Sequence, residues 1–228
     1  MKKPLVSVIM IVKNGEKYIA SAVESVLAQD YRPFEIIVVD GHSIDATEKI
    51  VRTYPQVRFV LQKNRGVSDA YNCGIEEARG DFIAFLSHDD TWTPDKLSTQ
   101  INYMIEHPET QFTIAMIAYF LEADATPPSG FRKNLLDETP VGRIMETLVA
   151  RKQVFEKVGG FNTNLSTAED VDWYARAADA GIPMAVIPAV LLHKRIHGNN
   201  ISLDVVQNNI NLLRALRLSI QRKKRRTR

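Results

Sequence analysis

The stretch Phe82-Ile83-Ala84-Phe85-Leu86-Ser87-His88-Asp89-Asp90 decides how this chain is read. Five apolar residues in a row, bounded by Gly80-Asp81 and by polar residues, have the pattern of a strand covered on both faces. Two carboxylates then leave its C-terminal end, the edge where open α/β sheets bind ligands. Adjacent carboxylates repel each other unless a cation or a ligand donor lies between them. A divalent metal carrying a phosphate would meet that need. A solvated turn leading into a helix is the plainer alternative.

Working outward, the first hundred residues alternate strand and helix. Val6–Val12 is rich in β-branched residues and predicts a strand. Ile19, Ala22, Val23, Val26 and Leu27 then recur at helical spacing. Glu35–Val39 and Val57–Leu61 read as strands, and Asp45-Ala46-Thr47-Glu48 has capping-box form, opening a helix through Arg52. A further helix runs from Gly66-Val67-Ser68 to Ala78. Another is expected with Thr93 as cap and Pro94 at its first position, burying Leu97, Ile101, Met104 and Ile105. Strands separated by helix-length segments predict parallel βαβ units, whose right-handed crossovers bring every strand-end loop to one edge.

The second half is less regular. Phe112–Phe120 predicts a strand, Ala125–Gly130 a loop, Gly142–Arg151 a helix and Gly159–Asn162 a turn. Glu169–Ala180 predicts a helix, followed by a strand around Ala185-Val186-Ile187. Asn208–Arg222 predicts an amphipathic helix with Ile210, Leu213, Leu216 and Ile220 on one stripe. The expectation is an α/β fold with a mostly parallel central sheet flanked by helices. Residues 1–205 form one domain in this reading, and residues 206–228 an amphipathic helix with a basic tail.

With 228 residues, 45% hydrophobic and 25% charged, the chain has the composition of a globular domain. Its net charge of +2 conceals a division. Six of the 29 basic residues lie in Arg222–Arg228, and without them 23 basic residues face 27 acidic ones. Such a tail is either a solvated, disordered end or an attachment to anionic lipid, worth roughly 1 kcal/mol per cation near the surface. The body shows no basic face, so nucleic acid is not an expected partner. The single Cys73 allows no internal disulfide and fits a reducing compartment. Met1-Lys2-Lys3-Pro4 leads directly into a strand rather than a secretion signal. Ile114–Leu121 and Ile182–Leu192 are too short to span a bilayer, which needs ~20 residues. A cytoplasmic protein is expected, with peripheral contact of its tail at the inner face of the membrane and a homodimer through Asn208–Arg222 both left open.

Four acidic sites fall where this topology gathers loops: Asp40, Asp69, Asp89-Asp90 and Glu169-Asp170. Each alone fits a turn or a helix start, where a carboxylate meets the macrodipole favourably. Several on one edge cost stability unless a ligand uses them.

These residues carry a resemblance. Val6-Ser7-Val8-Ile9-Met10, Lys13-Asn14-Gly15 and Ser25-Val26-Leu27-Ala28-Gln29 resemble the opening of the family 2 glycosyltransferases. Ile36–Thr47, read as V-V-D-x-x-S-x-D-x-T, is similar to their second motif. Asp69–Ile75 and Ala78–Ile83 are similar to the third and fourth segments. Leu86-Ser87-His88-Asp89-Asp90 stands where the family carries its metal-binding D-x-D or x-D-D element, with Ser87 in place of the first acid. Ala168-Glu169-Asp170-Val171-Asp172-Trp173 resembles the later motif holding the catalytic base. The resemblance runs from about Pro4 to Ser202.

It implies a GT-A fold and an inverting transfer of a sugar from a nucleotide-diphosphate donor, leaning to uridine, onto a hydroxyl of a carbohydrate or lipid-linked acceptor in cell-envelope polysaccharide biosynthesis. By the same resemblance, Val12 and Asp40 meet the base, Asp69 the base or ribose, and Asp89 the ribose or donor sugar. Asp90 is the implied ligand of Mg²⁺ or Mn²⁺, with His88 and His197 as further candidate ligands. Arg195, in the segment His193–Ser202 that resembles a loop closing over the diphosphate, is the implied charge partner. Asp170 is the implied base, with Glu169 as the alternative. Trp92 is the better acceptor-stacking candidate, since Trp173 fits core packing, and Ala123–Leu136 borders the acceptor side. Two other functions remain in view: a nucleotidyltransferase, for which Lys13-Asn14-Gly15 makes a poor phosphate loop, and a non-catalytic nucleotide-sugar binder.

Overall fold

The protein is described from a computed structural model, over residues 3–123, 125–198, 200 and 205–226. β1 (Val6–Val12), β2 (Phe34–Asp40), β3 (Val57–Leu61) and β4 (Phe82–Ser87) run parallel, connected by α1 (Ile19–Leu27), α2 (Thr47–Val51) and α3 (Val67–Glu77). Four more strands complete an eight-stranded sheet: β5 (Thr91–Trp92), β6 (Phe112–Leu121), β7 (Val149–Arg151) and β8 (Met184–Ile196). The order is β3-β2-β1-β4-β7-β6-β8-β5. β7 is antiparallel to both β4 and β6, which restores β6 and its parallel neighbour β8 to the direction of β1. The C-terminal ends of β1, β2, β4, β6 and β8 therefore share one edge.

Continuous apolar strands need cover on both faces, and alternate residues supply the two cores. Val6, Val8, Met10 and Val12 pack with Ile19, Ala22, Val23 and Val26 of α1 and with Leu97, Ile101 and Met104 of α4 (Lys96–Glu106). Ile9, Ile37, Val39 and Phe85 pack on the other face with Ala70, Tyr71 and Cys73 of α3. Phe155 of α5 (Lys152–Val158) and Trp173 of α6 (Glu169–Asp179) close that second core. Each large apolar side chain buried this way contributes about 1.5–3 kcal/mol.

Four elements differ from the sequence reading. Gly142–Arg151 is not a helix: a 3-10 turn at Met145–Thr147 precedes β7, because Val149 and Ala150 find ladder partners in both β4 and β6. α4 begins at Lys96 rather than after Thr93, whose backbone N–H is drawn to Leu191 of β8 (3.3 Å). The strand around Ala185–Ile187 extends to Ile196, with a register irregularity beside Pro188 that accommodates the missing N–H.

The last helix, α7 (Val205–Arg226), is the fourth. It is helical through Arg226, beyond the predicted end at Arg222 and into the basic tail. Its inner face is polar: Asn211 Nδ2 donates to Ser166 Oγ (2.9 Å) and Thr167 Oγ1 (3.0 Å), and Arg222 pairs with Asp172 and Asp179 of α6. Ile210, Leu213, Leu216 and Ile220 face solvent. Among the described residues no helix is long and apolar enough to cross a membrane.

Candidate active site

The loops after β1 and β2 are latched together. Asn14 N–H donates to Ser43 Oγ (2.8 Å), Gly15 N–H to Thr47 Oγ1 (2.8 Å) and Glu16 N–H to Asp45 Oδ2 (3.0 Å). Ser43, Asp45 and Thr47 of the second motif are thus clamps that hold the first loop. Gly15 has no room for a side chain: a Cβ would lie 2.5 Å from Val12 Cγ2 and 2.6 Å from His88 Cδ2. Three non-glycine residues take left-handed backbone, Asn14 (φ 52°), His42 (φ 61°) and Ala168 (φ 60°). Asn14 and Ala168 line a cavity of about 970 Å³ at the strand-end edge, and His42 follows its wall residue Gly41. Left-handed backbone costs roughly 1–2 kcal/mol at alanine, strain of the kind that gathers at working sites.

Asp89 stands on the wall of this cavity. Its Oδ2 lies 3.0 Å from His197 Nε2 and 3.3 Å from Asn200 Nδ2. Burial opposes its charge, but the His197 bond and the charges of His88 and Lys194 bring the carboxyl down to about 2. The His197 ring stacks on Tyr18, with centroids 5.2 Å apart. Asp90 is a different residue in all but name. It is fully buried, its Oδ2 accepts from Lys194 Nζ (2.8 Å), its Oδ1 accepts from the Arg195 N–H (2.9 Å), and it is not on the cavity wall. The metal role expected of Asp90 is corrected on this ground, because both oxygens are already engaged. The carboxylate and imidazole that present themselves to the cavity together are Asp89 and His197. Among the described residues no group of three or more His, Cys, Asp or Glu is spaced to hold a metal, so a cation there would take its remaining ligands from elsewhere.

On the same wall, α6 opens directly after the left-handed Ala168 with Glu169 and Asp170, both half-buried. Burial raises Glu169 to about 8, and the charge of Asp170 adds to the effect. Burial also raises Asp170 to about 6, opposed by the Val171 N–H that Asp170 Oδ1 accepts (2.7 Å). At neutral pH Asp170 is therefore ionised and Glu169 mostly protonated.

The other expected residues divide. Val12 and His88 are on the wall, His88 packed over Gly15 with its pKa lowered by burial. Asp40 is buried but turned into its own loop, where its carboxylate accepts from the Ser43 N–H (2.9 Å) and hydroxyl. Gly41 and Gln62 line the cavity beside it. Asp69 is likewise local, accepting from Asn64 N–H (3.0 Å) and Asn64 Nδ2 (2.8 Å). Arg195 points away: its guanidinium lies over Tyr18 and Phe120 and donates to the Asp89 carbonyl (3.0 Å). Strand alternation puts its neighbour Lys194 on the wall instead. Trp92 is no platform either; it is buried, with Nε1 donating to the Glu146 carbonyl (3.0 Å). Trp173 is core, as expected. Asp124, Asn199, Ile201 and Ser202, within the expected acceptor border and closing loop, lie outside the described residues.

Among the wall residues that the sequence reading missed are Lys194 and Glu146. Lys194 is buried among Asp90, Glu146 (3.7 Å) and Asp89, whose charges hold its ammonium above the usual value against the cost of burial. Glu146, in the turn read as helix, accepts from the Ser87 hydroxyl. A strand extended to Ile196 would have revealed Lys194 by alternation. Nothing local marks Glu146.

The sheet order, the flanking helices and the position of the cavity define a GT-A fold. Two solved structures share it: TarS 1–349 of Staphylococcus aureus in complex with UDP-GlcNAc (TM-score 0.77, 21% identity, 95% of this chain and 66% of that one) and the mannosyltransferase PcManGT of Pyrobaculum calidifontis in complex with GDP-Man and Mn²⁺ (TM-score 0.75, 21% identity, 97% and 65%). The family model for glycosyl transferase family 2 matches residues 7–165, and the chain belongs to that family. It is 31% identical over 210 residues to TuaG of Bacillus subtilis, a glycosyltransferase named for teichuronic acid biosynthesis, covering 88% of this chain and 82% of that protein. It is 33% identical over 185 residues to an uncharacterized glycosyltransferase of Rickettsia prowazekii, 75% of this chain. There it spans 58% of the relative's length.

Proposed function

We propose that this chain transfers a glycosyl group from a nucleoside-diphosphate sugar to an acceptor hydroxyl, with inversion, and that Asp170 is the base. The observation that carries the reading is one strand-end cavity whose wall holds both the bonded Asp89–His197 pair and the adjacent carboxyls Glu169 and Asp170. Asp89 and His197 would hold a divalent cation, their oxygen and nitrogen donors leaving the diphosphate and water to complete its shell. Such an ion neutralises the charge that develops as the nucleoside diphosphate leaves. Lys13, Lys17 and Arg65 line the same cavity and are suited to the phosphates. Val12, Gly41 and Gln62 would form the base end. Asp170 takes the proton of the acceptor hydroxyl as its oxygen attacks, and a base near pH 6 is suited to that step. A single such base on the face opposite the leaving group gives inversion.

The relatives favour the same chemistry: TarS was solved with UDP-GlcNAc, PcManGT with GDP-Man and Mn²⁺, and TuaG is named for a cell-envelope polymer. A thermal-shift screen of nucleotide sugars with and without Mn²⁺ tests it, since a ligand of the native state raises stability by RT ln(1 + [L]/Kd). One donor should raise the melting temperature, and more so with Mn²⁺. A screen in which no nucleotide sugar shifts it would contradict the proposal.

The outer face of α7 is suited to an anionic bilayer. Ile210, Leu213, Leu216 and Ile220 are exposed, Arg217 lies among them, and the helix has no acidic residue. Pairing two copies through this face would oppose like charges, which argues against a homodimer there. Vesicles containing phosphatidylserine should sediment the protein, phosphatidylcholine vesicles should not, and L213E/L216E should abolish the difference.

A further inference from the structure

Resting on the reading above, we infer that Glu146 reads the hydroxyls of the transferred sugar, and that the donor carries a neutral glycosyl group rather than one with a carboxylate. Glu146 stands on the cavity wall that also carries Asp89, His197, Glu169 and Asp170. Lys13, Lys17, Arg65 and His197 on the wall suit the diphosphate, whereas the carboxylates of Glu146 and Asp170 would repel it, so the uncharged part of the donor is the part suited to them. A sugar carboxylate there would meet these acids with Lys194 already paired to Asp90.

The side chain is also placed as a recognition group must be. Glu146 is 8% exposed and accepts from the Ser87 hydroxyl, with Lys194 Nζ 3.7 Å away. A carboxylate has about four acceptor positions, so these partners leave capacity for ligand hydroxyls. Its turn is held from several sides. Trp92 Nε1 donates to the Glu146 carbonyl (3.0 Å), Gln100 Nε2 to the Thr147 carbonyl (3.0 Å) and Tyr174 OH to the Ile144 carbonyl (3.1 Å). The buried Lys96 adds a longer bond to Thr147 (3.4 Å). Elements as distant as β5, α4 and α6 thus fix one short turn, the rigidity that discrimination between sugars requires. A site built to accept hydroxyl hydrogen bonds rejects a sugar that cannot make them.

The test is calorimetric titration of UDP, GDP and their neutral hexosyl and uronosyl conjugates into wild type and Glu146→Gln, with Mn²⁺ present. Glutamine keeps an oxygen for Ser87. Affinity for the free nucleotide should stay within twofold, affinity for the neutral conjugate should fall ten- to a hundredfold, and the preference of wild type for neutral over uronosyl conjugates should shrink. Equal losses for free and conjugated nucleotide would make Glu146 a structural residue, and no loss at all, or a wild-type preference for uronosyl conjugates, would overturn the inference. Should the Gln variant not fold, Ser87→Ala removes only the hydroxyl that holds Glu146. It should weaken the conjugate severalfold and leave the free nucleotide alone, and an unchanged conjugate affinity would count against the role. Wild type that binds neither UDP nor GDP would instead overturn the glycosyl-transfer reading itself.

Discussion

Two of the chain's pairs of adjacent acids, Asp89-Asp90 and Glu169-Asp170, meet the same cavity and look alike as sequence, and the fold treats them in opposite ways. The first pair follows β4 in a turn closed by the Asp90 N–H on the Ser87 carbonyl (3.3 Å), and its members part there, one to the cavity with His197 and one inward to Lys194. Each has a cationic or imidazole partner. The second pair opens a helix after a strained residue, and among the described residues no ion-paired cation offsets its burial. Compensated charge suits holding an ion or a phosphate. Uncompensated charge suits taking a proton. The difference teaches that partners, not acidity by residue type, divide the labour of this site.

Breaking the second pair should have the largest effect. Asp170→Asn is expected to slow transfer by about 10²–10⁴-fold while donor affinity stays within about twofold, measured by single-turnover assay and titration. The same variant should melt higher, because a carboxyl pushed up to about 6 disfavours the charged form that neutral pH imposes. Breaking the first pair from behind should unfold rather than inactivate. Lys194→Met leaves Asp90 buried without its ammonium and should cost about 3–5 kcal/mol in denaturant unfolding.

Breaking it from the front, Asp89→Ala should lower Mn²⁺-supported donor affinity about 10–100-fold and abolish the dependence on Mn²⁺. A pH series sharpens the contrast. Glu169 and Asp170 are raised, so between about pH 4 and 8 the folded state binds more protons than the unfolded one and stability falls as pH rises. The loss should be roughly 1–2 kcal/mol, discounted for partial exposure, and the Glu169→Gln/Asp170→Asn double variant should flatten it. The smallest effect is expected for Glu169→Gln alone, within about threefold in rate at pH 7, since that carboxyl is already mostly protonated.

The sequence carried β1 to β4 and their helices closely, because fully buried parallel strands leave unbroken apolar runs and their crossovers leave helical periodicity. It also carried the four acidic positions to one edge. What it did not carry are contacts made across the sheet. β7 is three residues long and exists only because β4 and β6 flank it. Trp92 follows the acids in sequence, yet its indole is buried because the Glu146 carbonyl lies behind it. Asp40 and Asp69 stand at the expected strand-end positions, but their carboxylates are bonded within their own loops to Ser43 and Asn64, contacts that spacing alone does not reveal. Lys194 and Arg195 exchange roles on a single fact, the true length of β8.

This division of labour is tested most directly by titrating the best nucleotide sugar from the thermal-shift screen, with and without Mn²⁺, into wild type, Asp89→Ala and Asp170→Asn. Wild type and Asp170→Asn should bind with the same affinity and the same gain from Mn²⁺, and Asp89→Ala should bind weakly with no gain. Loss of donor binding in Asp170→Asn, or full Mn²⁺-supported binding in Asp89→Ala, would contradict the account.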